Sequence, residues 1–297
     1  MADSPPPPPN FHTAPRTPWD ALPTDARAAV ERCAGRVLGV ATVWAGFNCE
    51  FAATVTTERS RFFVKGVPRD HPAAGQQRVE VRVAPHVHTV APRLRWEVRL
   101  DDWVLLGFDH ITGRHADFAP GTADLPLIAD ALRRLGRVAV RDLPLPRIEE
   151  RWRSLLTHRQ LELLRGDSLL HTDLHPHNVL IGDRGPRAYL VDWAQPARGP
   201  AWIEVTMVAG RLMDEGHTAE QAASWADRFA CWRTVSREAM ETFVFAATNQ
   251  CSRGIGAADA APWNARLTAL AEARAARTHR RACPARPVGS RRRSTLD

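Results

Sequence analysis

Lysine is almost missing from this sequence: among 40 lysine and arginine residues, Lys65 is the only lysine. Tyrosine is as scarce, with 1 residue, and the 5 cysteines (Cys33, Cys49, Cys231, Cys251, Cys283) lie far apart with no C-x-x-C pair. An odd, scattered set supports neither a disulfide framework nor a thiolate zinc site. No apolar run is long enough to span a bilayer, and the N-terminus lacks the basic-then-apolar pattern of a signal peptide. A cytoplasmic protein without a membrane partner is expected. The net charge is +7, but the arginine skew, with abundant alanine and proline, matches GC-rich coding better than a nucleic-acid surface. No nucleic-acid partner is expected.

What is present divides the chain in four. Residues 1–20 ("MADSPPPPPNFHTAPRTPWD") carry a proline run that removes backbone donors and fixes φ, so a disordered arm is expected. Residues 21–110 read mainly as strands, at "RVLGVATVWAG", "EFAATVTT", "SRFFVKGV", "RLRWEVRL" and "DWVLLGFD". One helix, near 73–84, interrupts them and should stop at Pro85. After a connector near Phe108–Gly113, residues 111–277 are mainly helical, with three-to-four apolar spacing in "ADLPLIADALRRLGRV", "RIEERWRSLLTHRQLELL", "AWIEVTMVAGRLMDEG" and "TAEQAASWADRFACWRTV". Trp225, Phe229 and Trp232 lie on such a stripe and read as core. Residues 278–297, rich in arginine and proline, are expected to form a disordered basic tail. A small β-rich lobe beside a larger helical lobe leaves a cleft between them as the natural ligand site.

One span concentrates ionisable groups. "SLLHTDLHPHNVLIGDRGPRAYLVDWAQ", Ser168–Gln195, holds three histidines and three aspartates between apolar runs that read as two strands. His171 and His175 have the spacing of a helical zinc pair, but Pro176 makes the stretch a loop and no glutamate lies between them. Phosphoryl transfer suits the residues better. It needs a carboxylate to orient and deprotonate the accepting hydroxyl, and oxygen ligands for Mg²⁺. Asp173, Asn178 and Asp192 supply these, and a hairpin between the last two would bring them to one end.

"HTDLHPHN" followed by "YLVDWA" resembles the catalytic loop and metal-binding aspartate strand of the protein kinase-like superfamily, nearest its aminoglycoside phosphotransferase and choline kinase branch. The resemblance covers about Arg36–Trp232 and implies an α+β, two-lobed protein-kinase-like fold. A small antiparallel N-lobe with one helix (21–110) would bind nucleotide, and a mainly helical C-lobe (111–277) would carry catalysis and the acceptor. It also implies Asp173 as catalytic base, His171 as support for the loop, and Asn178 and Asp192 as Mg²⁺ ligands. ATP or GTP would be co-substrate, and the partner a small-molecule hydroxyl acceptor, on a monomer or weak dimer. The family pattern asks for a lysine on the third strand, and Lys65 in "RFFVKGV" fits: a compact ammonium sits between phosphate oxygens and a carboxylate where a planar guanidinium does not. Glu80, in the helix, is its expected partner ahead of Glu97. Asp109 and His110, at the connector, join the nucleotide-contacting set.

Two departures stand out. The loop over the phosphates, "VWAGFNCEF", has Gly46 as its one glycine, so nucleotide contact would run through backbone and Asn48. The aspartate that braces the catalytic loop in relatives is matched by Glu204. A protein substrate is disfavoured, because Thr172 replaces the arginine before the base and only "AQPARGPAW" separates Asp192 from the next helix. Asp214, Glu215 and Glu220 could meet a cationic acceptor or simply end a helix. A nucleotide-binding module without catalysis is the alternative.

Overall fold

The computed structural model describes residues 16–44, 46, 48–140 and 143–282. After a single 3-10 turn at Trp19–Ala21, α1 (Thr24–Ala34) leads into β1 (Val37–Thr42), β2 (Phe51–Thr57) and β3 (Arg61–Pro68). Then come α2 (Ala74–Val87), β4 (Leu94–Arg99) and β5 (Trp103–Asp109). The strands form one antiparallel sheet in the order β1-β2-β3-β5-β4, so β3 is central, with Lys65 opposite Ala52 and Leu106. Alternate strand residues serve opposite faces. Ala53, Val55, Val64 and Leu105 pack with Ala26, Ala29 and Val30 of α1, while Leu106 and Phe108 cluster with Val81 of α2.

The N-lobe therefore has two helices, not one. The apolar stripe of α1 is built of alanine and a single valine, a weak periodic signal, although Gly35 (φ 95°) does end it in a conformation glycine favours. Nor does Pro85 stop α2. The helix continues to Val87 because Val83, Ala84 and Val87 are buried, which outweighs the one backbone bond proline removes near the helix end.

The rest of the chain runs β6 (Gly113–His115), α3 (Asp124–Leu135), α4 (His158–Leu163), β7 (Ser168–Leu170), β8 (Val179–Gly182), β9 (Arg187–Leu190) and β10 (Ala197–Gly199). Five helices follow: α5 (Ala201–Asp214), α6 (Ala219–Ala226), α7 (Ala230–Thr234), α8 (Arg237–Ile255) and α9 (Ala257–Ala282). One continuous core joins α2 to α9, with Trp152, Trp202, Trp225, Trp232 and Phe243 inside it. The helix expected across 147–164 is instead a 3-10 turn at Ile148–Trp152 and then α4, which Thr157 and Gln160 open with a capping box. The helix expected across 218–235 likewise divides into α6 and α7.

This is the α+β, two-lobed kinase-like architecture that the motifs imply. Its ends differ from expectation. Arg16 is buried and a 3-10 turn begins at Trp19, so the described part of the arm is held at those residues while Pro18 and Asp20 stay exposed. At the other end α9 extends past residue 278 to Ala282. The remainder of the expected arm and tail, 1–15 and 283–297, lies outside the described residues. No helix among the described residues is long and apolar enough to cross a membrane.

Candidate active site

The loop after β7 is fixed from below. Glu204, in the first turn of α5, is buried, and its Oε2 accepts the backbone N–H groups of His171 (2.5 Å) and Thr172 (3.0 Å). Burial raises its carboxyl to about 7, against the pull of those two N–H groups. Thr172 stands at φ 69°, a left-handed conformation that costs a β-branched residue about 1–3 kcal/mol and persists only when its neighbours hold it. Its hydroxyl donates to Gln195 O (2.7 Å) and accepts from Arg151 (3.2 Å). His171 does not face the cleft. It is 1% exposed, its ring centroid is 4.6 Å from that of Trp193, and Nε2 bonds Val191 O (2.9 Å). Burial lowers its pKa to about 4, so the neutral ring donates from Nε2 and ties the loop to the strand before Asp192.

The β8–β9 hairpin sets the second pair. Val179 faces Leu190, and Val191 N–H donates to Asn178 O (3.0 Å), which brings Asn178 and Asp192 to the same end. Asn178 Nδ2 donates to Asp173 O (2.9 Å), which leaves Oδ1 as the amide's acceptor oxygen. Asp192 is the other described non-glycine residue with positive φ, at 63°.

Across the cleft, Lys65 Nζ lies 2.7 Å from Glu80 Oε2 and 2.8 Å from Asp192 Oδ1. Lys65 and Glu80 are both buried. Burial pulls the Lys65 ammonium down, but Asp192 and Glu80 outweigh it and hold the pKa above its ordinary value. Lys65 in turn holds Asp192 below the usual carboxylate range. Glu80 Oε1 also accepts Trp193 N–H (3.3 Å), so α2 grips both β3 and the residue after Asp192. Glu97, the rival partner, pairs with Arg99 instead (2.6 Å). Two carboxylates around one ammonium leave a net negative charge, a setting that suits a divalent cation.

These groups surround one cavity of about 420 Å³ between the lobes. Lys65, Glu80, Asp173, Asn178 and Asp192 line it, as do Gly46, Asn48, Asp109 and His110, so it gathers every predicted site residue except His171. The connector side chains already have partners, since Arg95 takes the Asp109 carboxylate (2.5 Å) and Arg61 lies 3.2 Å from His110 Nε2. The glycine-poor loop has an unforeseen organiser in Arg16, whose guanidinium donates to Val43 O (3.2 Å), Gly46 O (2.7 Å) and Cys49 O. Asp173 is half-buried, and burial lifts its carboxyl to about 6, with Arg211 drawing it down and Asp192 pushing it up. Among the described residues, no group of three or more His, Cys, Asp or Glu side chains is arranged to hold a metal ion. The Asn178 and Asp192 pair uses an amide and is a different donor set.

Residues 117–239 match the phosphotransferase enzyme family. No curated protein matches the chain. Among solved structures, the aminoglycoside phosphotransferase APH(4)-Ia is 13% identical with a TM-score of 0.57, over 84% of this chain and 98% of its own. A thermostable mutant of that protein, solved with ADP and hygromycin B, gives 13% and 0.54 over 83% and 97%. A choline kinase from Streptococcus pneumoniae is 12% identical at a TM-score of 0.53, over 84% and 98%. In sequence, residues 117–239 are thus similar to the phosphotransferase enzyme family, and in fold both lobes are similar to an aminoglycoside phosphotransferase and a choline kinase.

Proposed function

We propose that the protein transfers the γ-phosphoryl group of ATP, or GTP, to a hydroxyl of a small molecule. One observation carries this reading: Lys65, Glu80 and Asp192 form a bonded triad in the same cavity as Asp173 and Asn178. Lys65 would neutralise phosphate oxygens, positioned by Glu80. Asn178 Oδ1 and the Asp192 carboxylate are hard oxygen donors of the kind Mg²⁺ accepts, and two of them are enough for an ion that keeps water and phosphate oxygens as its other ligands. Bound there, Mg²⁺ would offset charge on the transferring phosphates. Asp173 takes the proton from the acceptor hydroxyl as its oxygen bonds to the γ-phosphorus, and the bridging P–O bond to the nucleoside diphosphate breaks. A carboxyl raised to about 6 is stronger as a base than an ordinary aspartate, yet still ionised at neutral pH.

The family match supports an alcohol-group acceptor. A small acceptor is favoured over a peptide because β10 pairs with β7 immediately after Asp192 and α5 starts at Ala201, leaving no long segment to cradle a chain. The alternative, a nucleotide-binding module without catalysis, draws on the single glycine of the loop over the phosphates.

Calorimetry with Mg·ATP and transfer from labelled ATP separate the roles. Asp173→Asn should lose about 10²–10⁴ in rate with nucleotide binding kept. Asp192→Asn should lose Mg²⁺-dependent binding as well. Equal loss of binding in both variants would refute the assignment. Wild type that binds Mg·ATP but transfers phosphate to no acceptor would favour the inactive module.

A further inference from the structure

A second cavity, of about 180 Å³, lies behind the catalytic loop between the Ile148–Trp152 turn and helices α5, α8 and α9. Trp152, Met207 and Trp263 give it apolar walls, and Thr172 in its lining is the neighbour of Asp173. Pockets for drug-sized ligands run about 300–1,000 Å³, so this one admits a small compound or one end of a larger one.

Two of its polar groups are incompletely matched. Arg151 is partly buried and donates to Thr172 Oγ1 (3.2 Å) and Gln195 O (2.8 Å), both neutral. Glu204, the acid nearest in effect, does not reach ion-pair distance, and burial lowers the Arg151 pKa. A guanidinium taken out of water without an anion is costly, and its planar fork matches a carboxylate. Glu204 itself is 3% exposed, and its Oε1 is buried with no hydrogen-bond partner. With its carboxyl near 7, that oxygen can carry a proton to share with a second carboxylate. Gln250 Oε1 is taken by Trp152 Nε1 (2.6 Å), which leaves the amide nitrogen to donate. Of the three acids named for a cationic acceptor, Asp214 is already bound by Arg211 (3.2 Å) and Arg266 (2.8 Å), and neither Glu215 nor Glu220 lines this cavity.

We propose that this cavity holds the carboxylate of a small hydroxy acid against Arg151, and so presents the acid's hydroxyl to Asp173. The hydroxyl's fate rests on the phosphotransferase reading, whereas the carboxylate site stands on the cavity alone. Cys251 lines the cavity and reports occupancy without turnover. Its alkylation by iodoacetamide is followed by peptide mass while glycerate, hydroxybutyrate or hydroxybenzoate is titrated, with ethanolamine, choline and glucosamine as cationic counterparts. At least one hydroxy acid should protect Cys251, and the cationic compounds should not. Arg151→Gln should weaken that protection by about tenfold or more, the loss expected for one charge-assisted contact, with Mg·ATP affinity kept as the check on folding. Arg151→Lys should recover part of it. In the transfer assay Arg151→Gln should raise KM more than it lowers kcat. Protection by the cationic compounds instead, by nothing in the set, or equally in Arg151→Gln overturns the proposal. Protection by a hydroxy acid that is never phosphorylated upholds the carboxylate site and overturns the presentation of its hydroxyl to Asp173, while transfer to any other acceptor keeps the phosphotransferase reading.

Discussion

Burial raises Asp173 to about 6 against the pull of Arg211, which gives a direct pH test. As the proposed base, Asp173 would work only when unprotonated, so kcat/KM should fall as pH drops through about 6 and level off above it. Arg211→Gln removes the cation that lowers this pKa, so the acid limb should move to higher pH; an unmoved limb would separate Arg211 from the base. Lys65→Arg should cost about a hundredfold in turnover, ~2.7 kcal/mol of barrier, because a guanidinium does not fit two carboxylates at 2.7 and 2.8 Å around one nitrogen. Steady-state kinetics beside a melting curve decides this, and wild-type rates in the variant would remove Lys65 from the phosphates. At this scale much of the candidate site was legible: a lone lysine, spaced aspartates and an asparagine each offer chemistry with few substitutes. Arg16 and Arg151 were not. Where nearly every basic residue is arginine, a functional guanidinium looks like all the others, and only its burial and its partners distinguish it.

The elements show a similar division. The β8–β9 hairpin and the five N-lobe strands could be read because their short apolar runs, rich in β-branched and aromatic residues, lie between turn residues. Helix α1 was hidden by its alanines, and the breaks before α4 and α7 lie inside continuous apolar spacing that only capping and packing interrupt. Helix α5 carries its own test. Glu204 rises from an ordinary 4.5 to about 7 in the fold, chiefly through burial. Protons therefore stay on the folded form while the unfolded chain ionises, so its contribution to stability is full below about 4.5 and is lost as pH rises to about 7. Glu204→Gln has no such titration. The difference in unfolding free energy between variant and wild type should change across that window, in favour of the variant as pH rises. Denaturant melts at pH 4.5, 6 and 7.5 read it, and a constant difference would deny that the buried carboxyl titrates there.

Across the whole molecule, Lys65 and Asp192 join the two lobes through one bond at the cleft. A metal taking up the Asp192 carboxylate would compete with that bond, so occupancy of the cleft is linked to one of the ties between the lobes, beside the Glu80–Trp193 bond and the shared core. Lys65 also lies on the central strand of its sheet, in a chain with no other lysine. A lysine-specific endoprotease therefore has one target, the Lys65–Gly66 bond, with strands paired on both sides of it. Cleavage requires the N-lobe sheet to open, so the rate at which the intact chain becomes two fragments measures that opening, without a label or an engineered site. Mg·ATP at a hundred times its Kd should slow the cut by about a hundredfold when opening and reclosing are fast, since a ligand that binds only the closed form depletes the open one in that proportion.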